Sequence, residues 1–234
     1  MGKCLFMRKG ETHTAPVNYK ANFADNTWEQ IIDACQKNAV PETWLVGDQK
    51  AMTINGTDYL IDIIGKNHDD YADGSGKAPL TFQMHDCYET AYAMNSSDTN
   101  SGGWASCAMR NTHLPVVMAL MPLEVQTGIK EVNKLTSEGG GSNVISTTAD
   151  KLFLLSEIEI FGVVTNSVNG EGTQYAYYSA GNSRIKNKTS GATIWRERSP
   201  LNNNYASFCC VMNDGTQSVG GASTALYLAF AFCF

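Results

Sequence analysis

The sequence predicts an α+β fold, and three observations lead to that prediction. Apolar residues from Trp28 to Cys35 recur at helical spacing, so one face of a helix is apolar. Asn55 and Gly56 join two strand-like stretches, and this dipeptide is typical of a two-residue β-hairpin turn. Residues 226–234, "LYLAFAFCF", alternate in the manner of a core strand. Helices and strands therefore occur in one chain without a regular βαβ order.

The elements follow in chain order. Asp25 or Asn26 is expected to cap the first helix, with Glu29 in its first turn. After the hairpin, "APLTFQMHDCY" is strand-like. Pro115 and Pro122 divide the next apolar region into two short helices, the second being "LEVQTGIKEVNKL". The remaining expectations are a loop at 137–150, a long apolar strand at 151–162 and a polar stretch without a period at 165–192.

The domain organisation predicted is simple, since no repeat and no linker is found. Residues 1–50 form a leader and a helix, and residues 51–234 form one compact domain. The start lacks the apolar region of a secretory signal and the Ser or Thr of a myristoylation site. The last apolar run is about ten residues, against about 20 for a bilayer span. We expect no membrane insertion and a cytoplasm-like compartment.

Charge and cysteine content narrow the function classes. The net charge is −6 and no Lys/Arg-rich block exists, so nucleic acid is not an expected partner. The seven cysteines show no C-x-x-C spacing, which argues against zinc and favours buried, reduced thiols. On a strand, the adjacent Cys209 and Cys210 would point to opposite faces, one buried and one exposed.

Motifs of catalysis are missing from the sequence. It contains no G-x-S-x-G elbow and no phosphate-binding loop, and its four histidines lie in no known motif. His68, Asp69, Asp70 and Asp73 cluster, but without calcium-loop spacing, so a polar turn is preferred over a bound cation. The sequence predicts no catalytic residue, no metal site, no cofactor and no enzyme.

The stretch "WRERSP" from Trp195 to Pro200 combines an indole with charges of both signs. We expect an ion-pair network at a turn, in which Arg196 or Arg198 pairs with a carboxylate such as Glu197, Glu157 or Glu159. The alternative is that these arginines bind anions. The first interpretation makes the stretch scaffold, with the indole against the core.

Residues 201–227 have an unusual composition. All except Met212 and Gln217 can be reached from an Asn codon by replacing only its adenines. Ordinary usage would place roughly five or six unreachable residues in a segment of this length. Tyr, Ser, Gly and Asn also dominate antibody paratopes. The composition favours a segment open to variation.

Several motifs carry a resemblance to a known family: "IGKNHDDYADGSGKAPLTFQ", "MNSSDTNSGGWASCAMR", "IKEVNKLTSEGG", "DKLFLLSEIEIFG" and "WRERSP…SFCCV…AFAFCF". They resemble phage and prophage proteins with a C-type-lectin-like domain, over about residues 55–234. The resemblance implies mixed or antiparallel sheets, two or more short helices and a small N-terminal appendage. The segment 201–227 resembles the variable region of diversity-generating retroelement proteins, whose ligand-binding surface is rewritten at adenines. The formylglycine-generating enzyme shares this fold, but its paired cysteines have no counterpart.

The resemblance implies a variable ligand- or receptor-binding protein. The expected partners are a host-cell-surface protein or glycan and other virion proteins, with a homo-oligomer such as a trimer also compatible. The expected location is a virion tail, or the bacterial cytoplasm before assembly. The alternatives are a fixed tail or baseplate component and an enzyme on the same fold. The expected ligand contacts, with both tyrosines as anchors, are Leu201, Asn203, Tyr205, Ser207, Cys210, Ser218, Val219, Thr224, Leu226 and Tyr227.

Overall fold

A computed structural model describes residues 18–234. Most of the predicted leader, including Cys4 and His13, lies outside the described residues. The prediction that the start carries no export signal concerns that part of the chain. Within them, fourteen short strands outnumber six short helices, so the α+β class is confirmed. No helix in this part of the chain combines the length and the apolarity that crossing a membrane requires.

The helices and strands have the following bounds. The helices are α1 (Trp28–Gln36), α2 (Gly103–Ser106), α3 (Leu114–Met118), α4 (Leu123–Gly128), α5 (Glu157–Phe161) and α6 (Ala176–Ser179), with a 3₁₀ turn at Phe23–Asp25 and a π-helical turn at Met109–His113. The strands are β1 (Gln49–Ile54), β2 (Thr57–Lys66), β3 (Leu80–Met84), β4 (Tyr88–Tyr92), β5 (Val132–Ser137), β6 (Ile145–Asp150), β7 (Leu152–Phe153), β8 (Lys186–Lys188), β9 (Gly191–Thr193), β10 (Trp195–Pro200), β11 (Ser207–Val211), β12 (Gln217–Gly221), β13 (Leu226–Leu228) and β14 (Ala231–Cys233).

Two five-stranded sheets form the centre of the fold. The first has the order β1-β2-β3-β14-β7 and is antiparallel throughout. The second has the order β12-β11-β10-β13-β4, in which only β10 and β13 are parallel. The predicted terminal strand is therefore two strands, one in each sheet. It is buried as expected, because both of its faces are covered from Leu228 to Phe234.

The N-cap of helix α1 lies one residue after Asn26 and two residues after Asp25. Thr27 is the N-cap: its hydroxyl accepts from the Gln30 amide at 3.2 Å, and the Gln30 side chain accepts from the Thr27 amide at 2.9 Å. This reciprocal pair is a capping box. Trp28 packs edge-on against Phe82 and Phe234, so the apolar face of α1 covers the first sheet. The predicted helix is confirmed, and the choice of Asp25 or Asn26 as its cap is wrong.

The expected strand at 151–162 is wrong beyond its first residues. Only Leu152 and Phe153 pair in a sheet, and α5 follows. Ser156 caps that helix: its hydroxyl accepts from the Glu159 amide, and its own amide donates to the Glu159 carboxylate. This second capping box overrides the apolar run. The apolar side chains are nevertheless buried.

Two further expectations need correction. The helix predicted at 123–135 ends at Gly128, and β5 begins at Val132. Its partner β6 lies in the stretch expected to be a loop. Buried and exposed residues alternate from Val132 to Thr136, and this period of two belongs to a strand. The hairpin prediction is confirmed, with both Asn55 and Gly56 at positive φ.

Candidate functional site

Strand β10 lies in the middle of the second sheet, so the expected turn at this stretch is wrong. All six of its residues are buried. The indole nitrogen of Trp195 donates to the carbonyl of Arg184 at 3.0 Å, as a scaffold residue against the core would. The scaffold interpretation of the motif is confirmed for this residue.

Arg198 has a complete set of partners. Its guanidinium contacts the Glu159 carboxylate at 2.5 and 2.8 Å, and it donates to the Thr136 hydroxyl and to three main-chain carbonyls. Lys134 bridges the same Glu159 to Asp69, at 2.7 Å from each. Burial raises the pKa of Asp69, but Lys134 outweighs it and leaves that pKa at about 2. The predicted ion-pair network is confirmed, with Glu159 as the carboxylate.

Arg196 is equally buried but has no carboxylate partner among the described residues. Its guanidinium donates to the carbonyl oxygens of Gly220 at 3.0 Å, Gly221 at 2.5 Å and Thr224 at 2.7 Å. Burial lowers its pKa to about 10. The side chain therefore holds the segment 220–224 through its main chain and not through its side chains.

Asn100 holds the other half of the same surface. Its side-chain amide donates to the carbonyls of Ser207 at 2.8 Å, Asn204 at 2.9 Å and Leu201 at 3.4 Å. Its main-chain amide donates to the carbonyl of Tyr205 at 2.8 Å. Asn100 is fully buried, so these bonds are shielded from water.

The two held segments lie side by side. The Ala222 amide donates to the Ala206 carbonyl at 2.7 Å. Asp98 accepts from the Ser223 amide at 2.9 Å and from its hydroxyl at 2.7 Å. We call residues 201–207 together with 221–225 the loop surface. Its main chain is fixed by side chains that lie before it in the sequence.

The predicted ligand contacts differ in exposure. Tyr205 is 69% exposed and Val219 38%, whereas Cys210 is only 1% exposed. The exposed predicted contacts are Asn203, Tyr205, Val219 and Thr224, and the half-buried ones are Leu201, Ser207, Ser218, Leu226 and Tyr227.

These residues do not share one face. In the β11–β12 ladder, Cys210 pairs with Ser218 while Ser207 pairs with Gly221, and side chains alternate along each strand. Ser207 and Val219 are therefore on one face, and Cys210 and Ser218 are on the other. The register of β11 with β12 is regular and Cys210 is buried, so the prediction of Cys210 as an exposed contact is wrong.

Tyr227 also departs from expectation, whereas Cys209 does not. Cys209 is fully buried, as expected for the neighbour of a predicted contact at Cys210, and the burial of both cysteines shows that both faces of β11 are covered here. The Tyr227 hydroxyl accepts from Lys188 at 2.5 Å and the ring packs against the core, so this tyrosine is tied to β8. Tyr205 remains as the freely exposed aromatic residue of the loop surface.

The residues that hold the loop surface were missed as functional residues. Asp98 and Asn100 lie in the quoted motif "MNSSDTNSGGWASCAMR", and Arg196 lies in "WRERSP". The signal that could have identified them is their position in the motifs that carry the family resemblance. Their partners are main-chain carbonyls and amides, which no sequence pattern reveals.

The described residues offer little for covalent or metal chemistry. All six described cysteines are buried, and burial raises the pKa of Cys35, Cys87 and Cys107 to about 12. Between residues 18 and 234, no group of three or more His, Cys, Asp or Glu side chains is placed to hold a metal. Asp69, expected in a polar turn, is instead buried in its ion pair with Lys134.

Three acidic side chains lie under β10 and β11. Glu157 accepts from main-chain amides of the 165–167 loop, and Glu171 accepts from the Ser137 amide at 2.8 Å and from the Ser199 hydroxyl. Neither carboxylate oxygen of Glu197 has a partner in the described part of the chain. Burial, reinforced by Glu157, raises the pKa of Glu197 well above its usual value. Burial therefore favours the neutral form of Glu197 inside the scaffold.

One comparison with known proteins gives a match. A family model described as a domain of unknown function (DUF6273) matches residues 80–229, more than half of the chain. The matched part includes the loop surface and the side chains that hold it. No curated protein and no solved structure matches the chain.

Proposed function

Because the chain belongs to the DUF6273 family, whose description names no activity, we propose a function from its geometry. The protein is a ligand-binding protein that presents a variable surface on a C-type-lectin-like scaffold. The surface comprises the loop surface and the exposed edge at Val219.

A single observation carries this proposal: the loop surface is held through its main chain. Asn100 and Arg196 together donate to six carbonyls of the segment 201–224. A carbonyl oxygen is present in every residue type, so replacing the side chains leaves these bonds available. A surface built in this way can change its contacts and keep its shape.

Two glycines mark the limit of that freedom. A Cβ on Gly220 would lie 3.0 Å from the guanidinium of Arg196, and a Cβ on Gly221 would lie 3.0 Å from the carboxylate of Asp98. Both contacts are too tight for an unadjusted side chain. Variation is therefore expected at Tyr205 and Thr224, but not at these two positions, and the positive φ of Asn203 (54°) restricts that position as well.

The wider setting is part of the same proposal and rests on the resemblance of the motifs. The protein is encoded by a phage or prophage and diversified by a retroelement. It is displayed on a virion tail, alone or as a homo-oligomer, binds a host-cell-surface protein or glycan and performs no catalysis. Finding a template repeat and a reverse-transcriptase gene beside this gene would support diversification. Their absence favours a fixed tail or baseplate component.

The direct test replaces five side chains at once: Leu201→Ala, Asn203→Gly, Tyr205→Ser, Val219→Ser and Thr224→Ala. We expect the melting temperature to shift by no more than a few degrees, because four of these side chains are exposed, Leu201 is only half-buried, and glycine accepts the positive φ of residue 203. Labelled protein is then measured by flow cytometry on a panel of fixed bacterial cells. Loss or redirection of cell binding is expected.

A matched control changes five exposed side chains far from the loop surface, at Glu42, Leu60, Val116, Leu123 and Lys151. This control is expected to bind the same cells as the unchanged protein. Unfolding of the loop variant, or unchanged cell binding by it, contradicts the proposal.

A further inference from the structure

A polar cavity opens beside the loop surface. Its volume is about 380 Å³, which is enough for one side chain of a ligand. The residues that line it include Ser101, Gly102, Glu138, Gly140, Ser142 and Ser146.

The walls of this cavity are fixed by glycines. Gly139 has φ +64°, and a Cβ there would lie 1.9 Å from the carbonyl oxygen of Asn100. At Gly102, with φ +80°, a Cβ would lie 2.0 Å from the hydroxyl of Ser106. No other residue type fits these positions without movement of the chain. The Gly140 amide also donates to the Asn100 side chain at 2.9 Å, so Asn100 joins the cavity to the loop surface.

Tyr205 lies close to the 138–142 loop that carries several of the lining residues. Its hydroxyl lies 3.3 Å from the position that a Cβ on Gly141 would take, and Gly141 follows the lining residue Gly140. The ring is 69% exposed. It is therefore an accessible aromatic side chain next to the loop of the cavity.

The charge around the cavity has one sign. Glu138 is exposed and forms no ion pair with any residue from 18 to 234. None of the lining residues is basic, and residues 199–234 contain no Lys, Arg or His. The Arg110 guanidinium reaches the Ala105 carbonyl nearby at 3.3 Å, but it is paired with Asp150 at 2.5 Å. The cavity thus lacks a cation of its own.

We propose that this cavity receives the basic side chain of a protein ligand, with Glu138 as its counter-ion and Tyr205 as its aromatic wall. Both contacts suit an arginine or lysine, since a carboxylate pairs with the cation and a ring face attracts it. The inference rests on the proposed function and adds a constant element to it. Glu138 and the glycines lie outside the variable segment, whereas Tyr205 lies within it. Ligands of different variants therefore share the basic residue that pairs with Glu138, and the aromatic contact belongs to the variants that carry Tyr205.

The test uses Nα-acetyl-L-arginine amide as the probe and follows amide shifts of the full chain by ¹H–¹⁵N NMR. We expect saturable shifts at residues 138–142 and at Tyr205, with binding in the millimolar range. Glu138→Gln and Tyr205→Ala should each weaken binding about threefold to fivefold, the range of exposed ionic and cation–π contacts. The matched control is Glu131→Gln, which changes an exposed acid at the opposite end of β5 and should leave binding unchanged.

Equal shifts with Nα-acetylglycine amide, or no saturable shift with the arginine probe, overturn the inference. Binding of N-acetylglucosamine in place of the arginine probe also overturns it and identifies a glycan subsite. These outcomes are independent of the cell-binding test of the loop variant. Failure of the cavity to bind the probe leaves that test intact, and an unfolded loop variant leaves the NMR result of the unchanged protein intact.

Discussion

Arg196 and Arg198 lie two residues apart on one strand, and both are fully buried. Arg198 meets Glu159 in a two-point ion pair and takes part in the scaffold network. Arg196 meets only carbonyl oxygens of the segment 220–224. Arg198 therefore belongs to a scaffold side of the molecule that is specified by particular side chains, whereas Arg196 belongs to a surface side that is specified by main chain.

This difference separates two kinds of tolerance. A substitution at Glu159 removes the carboxylate that pairs with the Arg198 guanidinium. A change at Thr224 keeps the carbonyl that Arg196 needs. The same protein can thus be intolerant of substitution among the partners of Arg198 and permissive at Thr224 beside Arg196.

The largest expected effect contrasts Arg198→Met with Arg196→Met. Arg198→Met leaves Glu159 without its two-point ion pair, and breaking such a buried pair costs about 3–5 kcal/mol of unfolding free energy. Arg196→Met leaves three carbonyls at the protein edge, where water can replace part of the lost bonding, so we expect about 1–3 kcal/mol. Urea denaturation measures both. Equal losses would show that the two sides are not distinct.

The second prediction concerns the pH dependence of the scaffold side. Burial raises the pKa of Glu171 to about 7, from an ordinary 4.5. The folded protein therefore binds this proton more tightly than the unfolded chain does. The stabilisation is complete below about pH 4.5 and lost as the pH rises through about 7, an amount of about 3 kcal/mol. Glu171→Gln should flatten the fall in unfolding free energy over this range.

A control for that experiment is His85. Its hydrogen bond with Asp62 raises its pKa, so it also stabilises at low pH and loses its effect as pH rises through the raised value. His85→Gln should keep the Glu171 slope. A pH profile that is the same in Glu171→Gln and in the unchanged protein would contradict the assignment.

A smaller effect is expected on the surface side from Asn100→Ala. The variant loses the side-chain amide that holds three carbonyls of the segment 201–207, and we expect a loss of about 2 kcal/mol. Hydrogen exchange should accelerate in that segment first. Asn187→Ala removes an exposed asparagine and should change neither quantity. Uniform acceleration throughout the second sheet would show that Asn100 supports the scaffold instead.

The smallest effect is expected from Tyr205→Ala. The ring is mostly exposed, so the unfolding free energy should change by less than about 0.5 kcal/mol. Differential scanning calorimetry against Tyr178→Ala, a fully buried tyrosine, gives the contrast. A loss above about 1 kcal/mol for Tyr205→Ala would place that ring in the scaffold.

Local signals in the sequence predicted the local structure well. The Asn55 turn and the apolar spacing from Trp28 depend on neighbours in the chain, and both were confirmed. The error at Trp195–Pro200 has a different cause. A strand that buries two arginines needs Glu159 and the carbonyls at 220–224, which lie far away in sequence. The charged residues of this motif therefore led to the prediction of a turn.

The site was predictable only in outline. The composition of residues 201–227 pointed to this segment, and Tyr205 is exposed as expected. The prediction failed at Cys210 because its burial depends on what packs against its face of β11, which codon content does not report. Asn100 could not be identified from its residue type, since its role depends on the fold placing the 201–207 loop around it.

The crossing of the chain from β13 to β14 also bears on how fast the protein folds. Phe82 of β3 pairs with Phe232 of β14, and Tyr88 of β4 pairs with Leu228 of β13, so each sheet is closed by strands more than a hundred residues apart. Contacts between residues so far apart form only after large loops have closed, and the entropic cost of that closure slows folding. Substitutions in the loop surface lie outside these closures and should alter the unfolding rate more than the folding rate.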